Sequence, residues 1–185
     1  GTLLTEIGTY YRENIPYEQM PESLIDAFLS VEDSRFFEHN GFDIPRFTKS
    51  VLETVLRHNT QGGSTFTMQL VKNTYFSIED GDNSTERSAT LSYKAQQIVL
   101  SMQLEKQLSK REIFELYVNK LNFGDRIRGV QKAAQYYYGK NASQLTLAES
   151  ALLAGIINLP NTYNPYNYLD YATQRRNNVL DLMQY

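Results

Sequence analysis

The 185-residue sequence contains no cysteine, which excludes a disulfide framework and any thiolate metal centre. Histidine is almost as scarce. His39 is one of two in the chain, and with no His or Cys partner at ligand spacing it reads as a packing or hydrogen-bonding residue, not a metal ligand. No run of about 18 apolar residues occurs, so no segment reads as a membrane-spanning helix. The net charge of -3 argues against a general nucleic-acid binder. Lack of cysteine suits an exported protein of Gram-positive type. The chain opens at Gly1 without a methionine or leader pattern, which reads as a piece of a longer protein.

With 41% hydrophobic and 21% charged residues, the chain is ordinary globular material. Its length suits one compact domain with room for a small second lobe. Charge is uneven: residues 105–140 hold eight Lys or Arg against four acids, a +4 stretch suited to a phosphorylated ligand or an anionic surface. Period-two alternation is scarce, and the pattern is mainly α. Ser23 with Asp26, Ser109 with Glu112 and Thr146 with Glu149 read as capping boxes opening helices. Their apolar stripes are Leu24, Ala27, Phe28 and Val31; Ile113, Leu116 and Tyr117; and Leu147, Ala151, Leu152 and Ala154. A further helix from about Thr90 carries the stripe Leu91, Ala95, Ile98, Val99 and Met102. Residues 77–89 are polar and aperiodic and read as a mobile loop.

Two segments carry the chemistry. Glu32-Asp33-Ser34-Arg35-Phe36-Phe37-Glu38-His39-Asn40-Gly41 places a carboxylate pair at the end of an apolar helix. A carboxylate held among apolar groups suits proton abstraction because burial raises its pKa, although an acid at a helix end is as often merely a surface charge. Gly62-Gly63-Ser64-Thr65 then turns into a helix bearing Gln69 and Lys72 three residues apart, on one face. Ser64 and Thr65 read as caps, and an anion at that N-terminus would meet free N–H groups. An N-cap ahead of a core helix through Met68 and Leu70 accounts for the same residues without any ligand.

Together these two segments resemble the first two motifs of the peptidoglycan glycosyltransferases, found in bifunctional penicillin-binding proteins and monofunctional transglycosylases. The likeness continues through Glu115-Leu116-Tyr117-Val118-Asn119, then Gly124, Gly129, Tyr138-Gly139-Lys140, and the tail Pro160, Tyr163-Asn164-Pro165 and Arg175-Arg176. It covers residues from about 16 to the end. The third motif departs from the family's Arg-Lys-x-x-Glu: here it is Tyr93-Lys94-Ala95-Gln96-Gln97, so an amide stands where the second family glutamate belongs. Asn122 replaces a usual aromatic.

The resemblance implies one glycosyltransferase domain over 1–185, with a lysozyme-like helical lobe and a smaller membrane-facing lobe at about 42–90. It implies polymerisation of lipid II at the extracytoplasmic face of the bacterial membrane, with inversion and release of undecaprenyl diphosphate. Glu32 is then the base, with Gln97 in the place of the second catalytic carboxylate. Asp33, Phe36, Ser64, Thr65, Gln69, Lys72, Lys94 and Arg128 are the expected substrate contacts. The family often uses a divalent cation, Mg or Mn, though no all-protein metal site is legible here. Expected partners are lipid II, the growing lipid-linked glycan, a moenomycin-like phosphoglycolipid inhibitor, the membrane surface and a flanking transpeptidase domain. Phe42, Ile44, Phe47, Val51, Leu52, Val55 and Leu56, interrupted by Arg46, Lys49 and Arg57, read either as an internal core helix, commoner for such a stripe, or as an interfacial one. Two other functions remain open: a non-catalytic lipid II-binding member, favoured by Tyr93, Gln97 and Asn122, and a lysozyme-like hydrolase, which would not need Lys72 and Lys94.

Overall fold

The computed structural model describes residues 13–57, 63–76 and 91–184, side chains of 53–57 and 91 excepted. These residues are mainly α, as expected. The helices are α1 (Glu22–Glu32), α2 (Ile44–Arg57), α3 (Phe66–Val71), α4 (Leu91–Leu104), α5 (Lys110–Lys120), α6 (Val130–Tyr138), α7 (Leu147–Ile156) and α8 (Leu169–Leu182). A π-turn, Lys72–Phe76, extends α3. The expected loop at 77–89, along with Gly62 and Thr90, lies outside what is described, as do the side chains of Val55 and Leu56.

Two of the three expected capping boxes form. Ser109 accepts from the Glu112 amide while Glu112 reaches back, and Thr146 and Glu149 do the same for α7. Ser23 and Asp26 form no such box. Pro21 stands at the N-cap of α1 with its extended backbone already set, so no side-chain cap is made there, and the Ser23 hydroxyl lies 3.2 Å from that of Ser150. Gly139 ends α6 in the left-handed conformation.

The core gathers around a chain of aromatic edges. Phe36 meets Phe66 at 5.1 Å, Phe66 meets Phe114 at 5.5 Å, and Phe114 meets Phe28 at 6.3 Å, each close to perpendicular. Helix α7 buries Ala151, Leu153, Ala154 and Gly155 and packs against both α1 and α8. Small side chains make that closeness possible: a Cβ on Gly155 would lie 2.9 Å from Arg175 Cγ. Leu116 and Leu147, expected in the apolar stripes, face outward: α5 turns Ile113, Phe114, Tyr117 and Val118 inward instead, and α7 turns Ala151, Leu153 and Ala154 inward.

Helix α4 reverses its expected orientation. Val99 and Met102 are about half exposed, while Gln97 and Ser101 are buried. The reason is Gly41, whose backbone sits against the Ser101–Met102 peptide so closely that no side chain fits at position 41. A Cβ on Gly41 would lie 2.7 Å from Ser101 C and O, and its φ of +87° is strained for any other residue. Gly41→Ala is therefore expected to destabilise the fold by about 2 kcal/mol or more. Thermal unfolding checks this; an unchanged Tm would show that α4 moves freely.

Helix α2 is strongly amphipathic yet is not a core helix. Ile44, Val51 and Leu52 are 64%, 46% and 58% exposed, so the core reading of that stripe is corrected. Asp43, buried, accepts from the Arg46 amide and starts the helix.

Candidate active site

The last turn of α1 delivers Glu32, and the residue after it fixes where α3 begins. Asp33 is fully buried. Its Oδ2 accepts from the Phe66 backbone N–H at 3.0 Å, and both its oxygens lie within 3.1 Å of His39 Nε2. Thr65 caps α3 by accepting from Met68 N and donates to Gly41 O at 2.8 Å. These bonds tie the loop after Glu32 to the start of α3. One turn along, Gln69 Nε2 donates to Glu32 Oε2 at 2.8 Å, and Tyr117 Oη donates to Gln69 Oε1 at 3.2 Å.

Glu32 opens onto a cleft of about 790 Å³ between α2 on one side and α1, α3 and α8 on the other. Ser30, Ser34, Ser64, Gln69, Lys72, Asn73 and Asn158 border it, with Arg46 and Lys49 from α2 and Arg175 from α8. Four cations thus surround one carboxylate, in a chain whose net charge is negative. Lys94 adds a fifth at the edge by donating to Ser64 Oγ at 2.7 Å. Burial, and then the neighbouring Lys72 charge, hold the Lys94 ammonium below its ordinary pKa. An anion bound between these two lysines would relieve both effects.

Of the expected site residues, Glu32, Ser64, Gln69 and Lys72 meet in this cleft, with Lys94 joined through Ser64. The other expected residues do not line it. Asp33, Phe36 and Thr65 are fully buried and hold the floor of the site from beneath. Gln97 is 3% exposed on the packed face of α4 and Arg128 projects to solvent, so neither borders the cleft. The helix-start anion site is also corrected: Asp33 and Thr65 already accept from the Phe66 and Met68 amides.

Arg46, Lys49 and Tyr117 were not singled out for the site by sequence. The first two had a signal, because they lie three apart on the polar side of a strongly amphipathic helix. The +4 stretch misled. Lys110 pairs with Glu105 at 2.8 Å, Lys140 pairs with Glu149 at 2.6 Å and Lys120 donates to Thr74, so much of that charge is used in packing, and none of the eight borders the cleft. Among the described residues no three His, Asp or Glu side chains converge, so the donor set does not fit an all-protein divalent-cation site.

The transglycosylase family profile matches residues 1–184. The chain belongs to the transglycosylase family. This transglycosylase chain is 41% identical to penicillin-binding protein 1A of Streptococcus pneumoniae over 182 residues, 98% of this chain and 24% of that protein. It is 40% identical to penicillin-binding protein 1A of Escherichia coli over 184 residues, 99% of this chain and 21% of that protein. Against penicillin-binding protein 1A/1B of Bacillus subtilis the identity is 37% over 186 residues, 100% of this chain and 19% of that protein. The transglycosylase chain therefore spans about a quarter or less of the length of these relatives.

Proposed function

We propose that this chain is a peptidoglycan glycosyltransferase domain that extends glycan strands from lipid II. The observation that carries the reading is the single carboxylate, Glu32, set among Arg46, Lys49, Lys72 and Arg175 in one cleft. With Oε2 held by Gln69, Glu32 Oε1 takes the proton from the 4-hydroxyl of an N-acetylglucosamine. That oxygen bonds to the anomeric carbon of the muramyl sugar on the growing chain as the bond from that carbon to the diphosphate breaks, with inversion. The electron pair departs with undecaprenyl diphosphate, whose developing charge Lys72 and Lys94 stabilise. A hydrolase acting on neutral glycan would have no use for that many cations. A moenomycin-like phosphoglycolipid would occupy the same cleft.

The exposed apolar side of α2 and the outward Val99 and Met102 of α4 support membrane contact, with Ile44, Val51 and Leu52 entering the interface of the extracytoplasmic leaflet. No described helix is long and apolar enough to cross a membrane. Relatives about four times as long support a flanking transpeptidase domain in the parent protein.

Polymerisation of purified lipid II, followed by gel analysis of the glycan products, tests the reading; binding without polymer would favour the non-catalytic alternative. Lys72→Ala and Lys94→Met are each expected to weaken a phosphoglycolipid inhibitor by about 10-fold to 100-fold, the worth of a charge-assisted hydrogen bond. Lys94→Met has a second expected effect, an increase in Tm. Because its folded pKa is depressed, Lys94 binds fewer protons folded than unfolded between the two pKa values. Stability thus rises with pH through that window, and at neutral pH the charged lysine is a burden that methionine removes. Unchanged inhibitor affinity in both variants would reduce these lysines to solvated charges.

A further inference from the structure

Tyr117 is 1% exposed on α5, with its ring 4.5 Å from that of Phe66. Packing explains the ring but not the hydroxyl. A buried O–H needs an acceptor, and Tyr117 Oη finds it in Gln69 Oε1. Burial, with Glu32 and Asp33 nearby, pushes the phenol well above its ordinary pKa, so the proton stays on oxygen. An amide has one oxygen and one NH2 at its end. Once its oxygen is engaged by Tyr117, its NH2 must face Glu32, and there it donates to Oε2 at 2.8 Å.

We propose that Tyr117 is a positioning residue for glycosyl transfer: its hydroxyl fixes the Gln69 amide with NH2 toward Glu32, holding the carboxylate in one orientation. The proposal rests on Glu32 as the base. Without the hydroxyl, Gln69 can turn about its terminal bond, a soft and broad torsion, and set its oxygen against the carboxylate. Glu32 then loses its donor and swings away from the acceptor hydroxyl. The effect falls on the chemical step and leaves the cationic contacts to diphosphate intact.

The test is Tyr117→Phe in the full chain, which keeps the ring and its contact with Phe66. Two readouts are taken: steady-state polymerisation of lipid II, and the side-chain amide signals of Gln69 by 15N–1H NMR, assigned by their loss in Gln69→Met. We expect kcat to fall by about tenfold, the rate equivalent of one ordinary hydrogen bond, with KM unchanged. The Gln69 signals should shift and broaden. Gln69→Met should abolish the effect of Tyr117→Phe on kcat in the double variant, since the hydroxyl acts only through the amide. Unmoved Gln69 signals, an unchanged kcat, or additive losses in the double variant would each overturn the proposal. If neither parent nor variant polymerises lipid II, the transferase reading fails instead, and the Gln69 signals still decide whether Tyr117 holds the amide.

Discussion

Glu32→Gln is expected to abolish measurable polymerisation, a loss of about 10²-fold or more, in a protein that folds and still binds a phosphoglycolipid inhibitor. Glutamine occupies nearly the same volume at the end of α1, so the anchors of the site remain: Asp33 to Phe66, Thr65 to Gly41, and Lys94 to Ser64. What disappears is the ability to take a proton. The Gln69 NH2 that donates to a carboxylate oxygen can still donate to an amide oxygen, so the local network gives no reason for collapse. Initial rates on lipid II and inhibitor titration, run on the same sample, separate loss of chemistry from loss of binding. Full turnover by a folded Glu32→Gln protein would move the base elsewhere, and the cleft has no second carboxylate among its described lining residues to replace it.

Residues whose role depends on local sequence were legible before the fold. Ser109, Thr146 and Gly139 act within one turn of their own helix, and the sequence pattern places them correctly. Glu32 with Asp33, and Gln69 with Lys72, were legible as motifs. Their division of labour was not: only the buried triangle of Asp33, His39 and the Phe66 amide shows that Asp33 faces inward while Glu32 faces the cleft. Helix α4 failed for a different reason. Its apolar spacing is real, but Gly41 packs against Ser101 and claims the opposite face, a tertiary demand that no window of residues 91–104 contains. Arg46 and Lys49 reach the cleft because α2 forms its far wall, and Tyr117 reaches Glu32 only through Gln69 across 48 residues of sequence. Such contacts are set by packing between helices.

Gln97→Glu is expected to raise the polymerisation rate by about tenfold or more while leaving Tm nearly unchanged. Gln97 lies three residues beyond Lys94 on α4, a spacing that places the two side chains as neighbours on the helix surface. Lys94 is held below its ordinary pKa by burial and by Lys72. A carboxylate one turn away acts against both causes: it favours the ammonium form and neutralises part of the Lys72 repulsion. For stability the effects oppose one another. Burying the new charge at a 3% exposed position is costly, and pairing it with Lys94, which has no carboxylate partner among the described residues, offsets the cost. For the reaction they act together, because the ammonium of Lys94 stabilises a departing diphosphate and a carboxylate beside it offsets the repulsion from Lys72. The amide keeps the shape and the hydrogen-bonding capacity of glutamate but none of the charge, so the parent chain should bind lipid-linked substrate and turn it over slowly. Polymer yield from lipid II at equal enzyme concentration, with Tm measured alongside, decides the matter. A parent chain already as fast as its Gln97→Glu variant would show that Lys94 needs no carboxylate beside it, and that Glu32 with the cleft cations is sufficient for transfer.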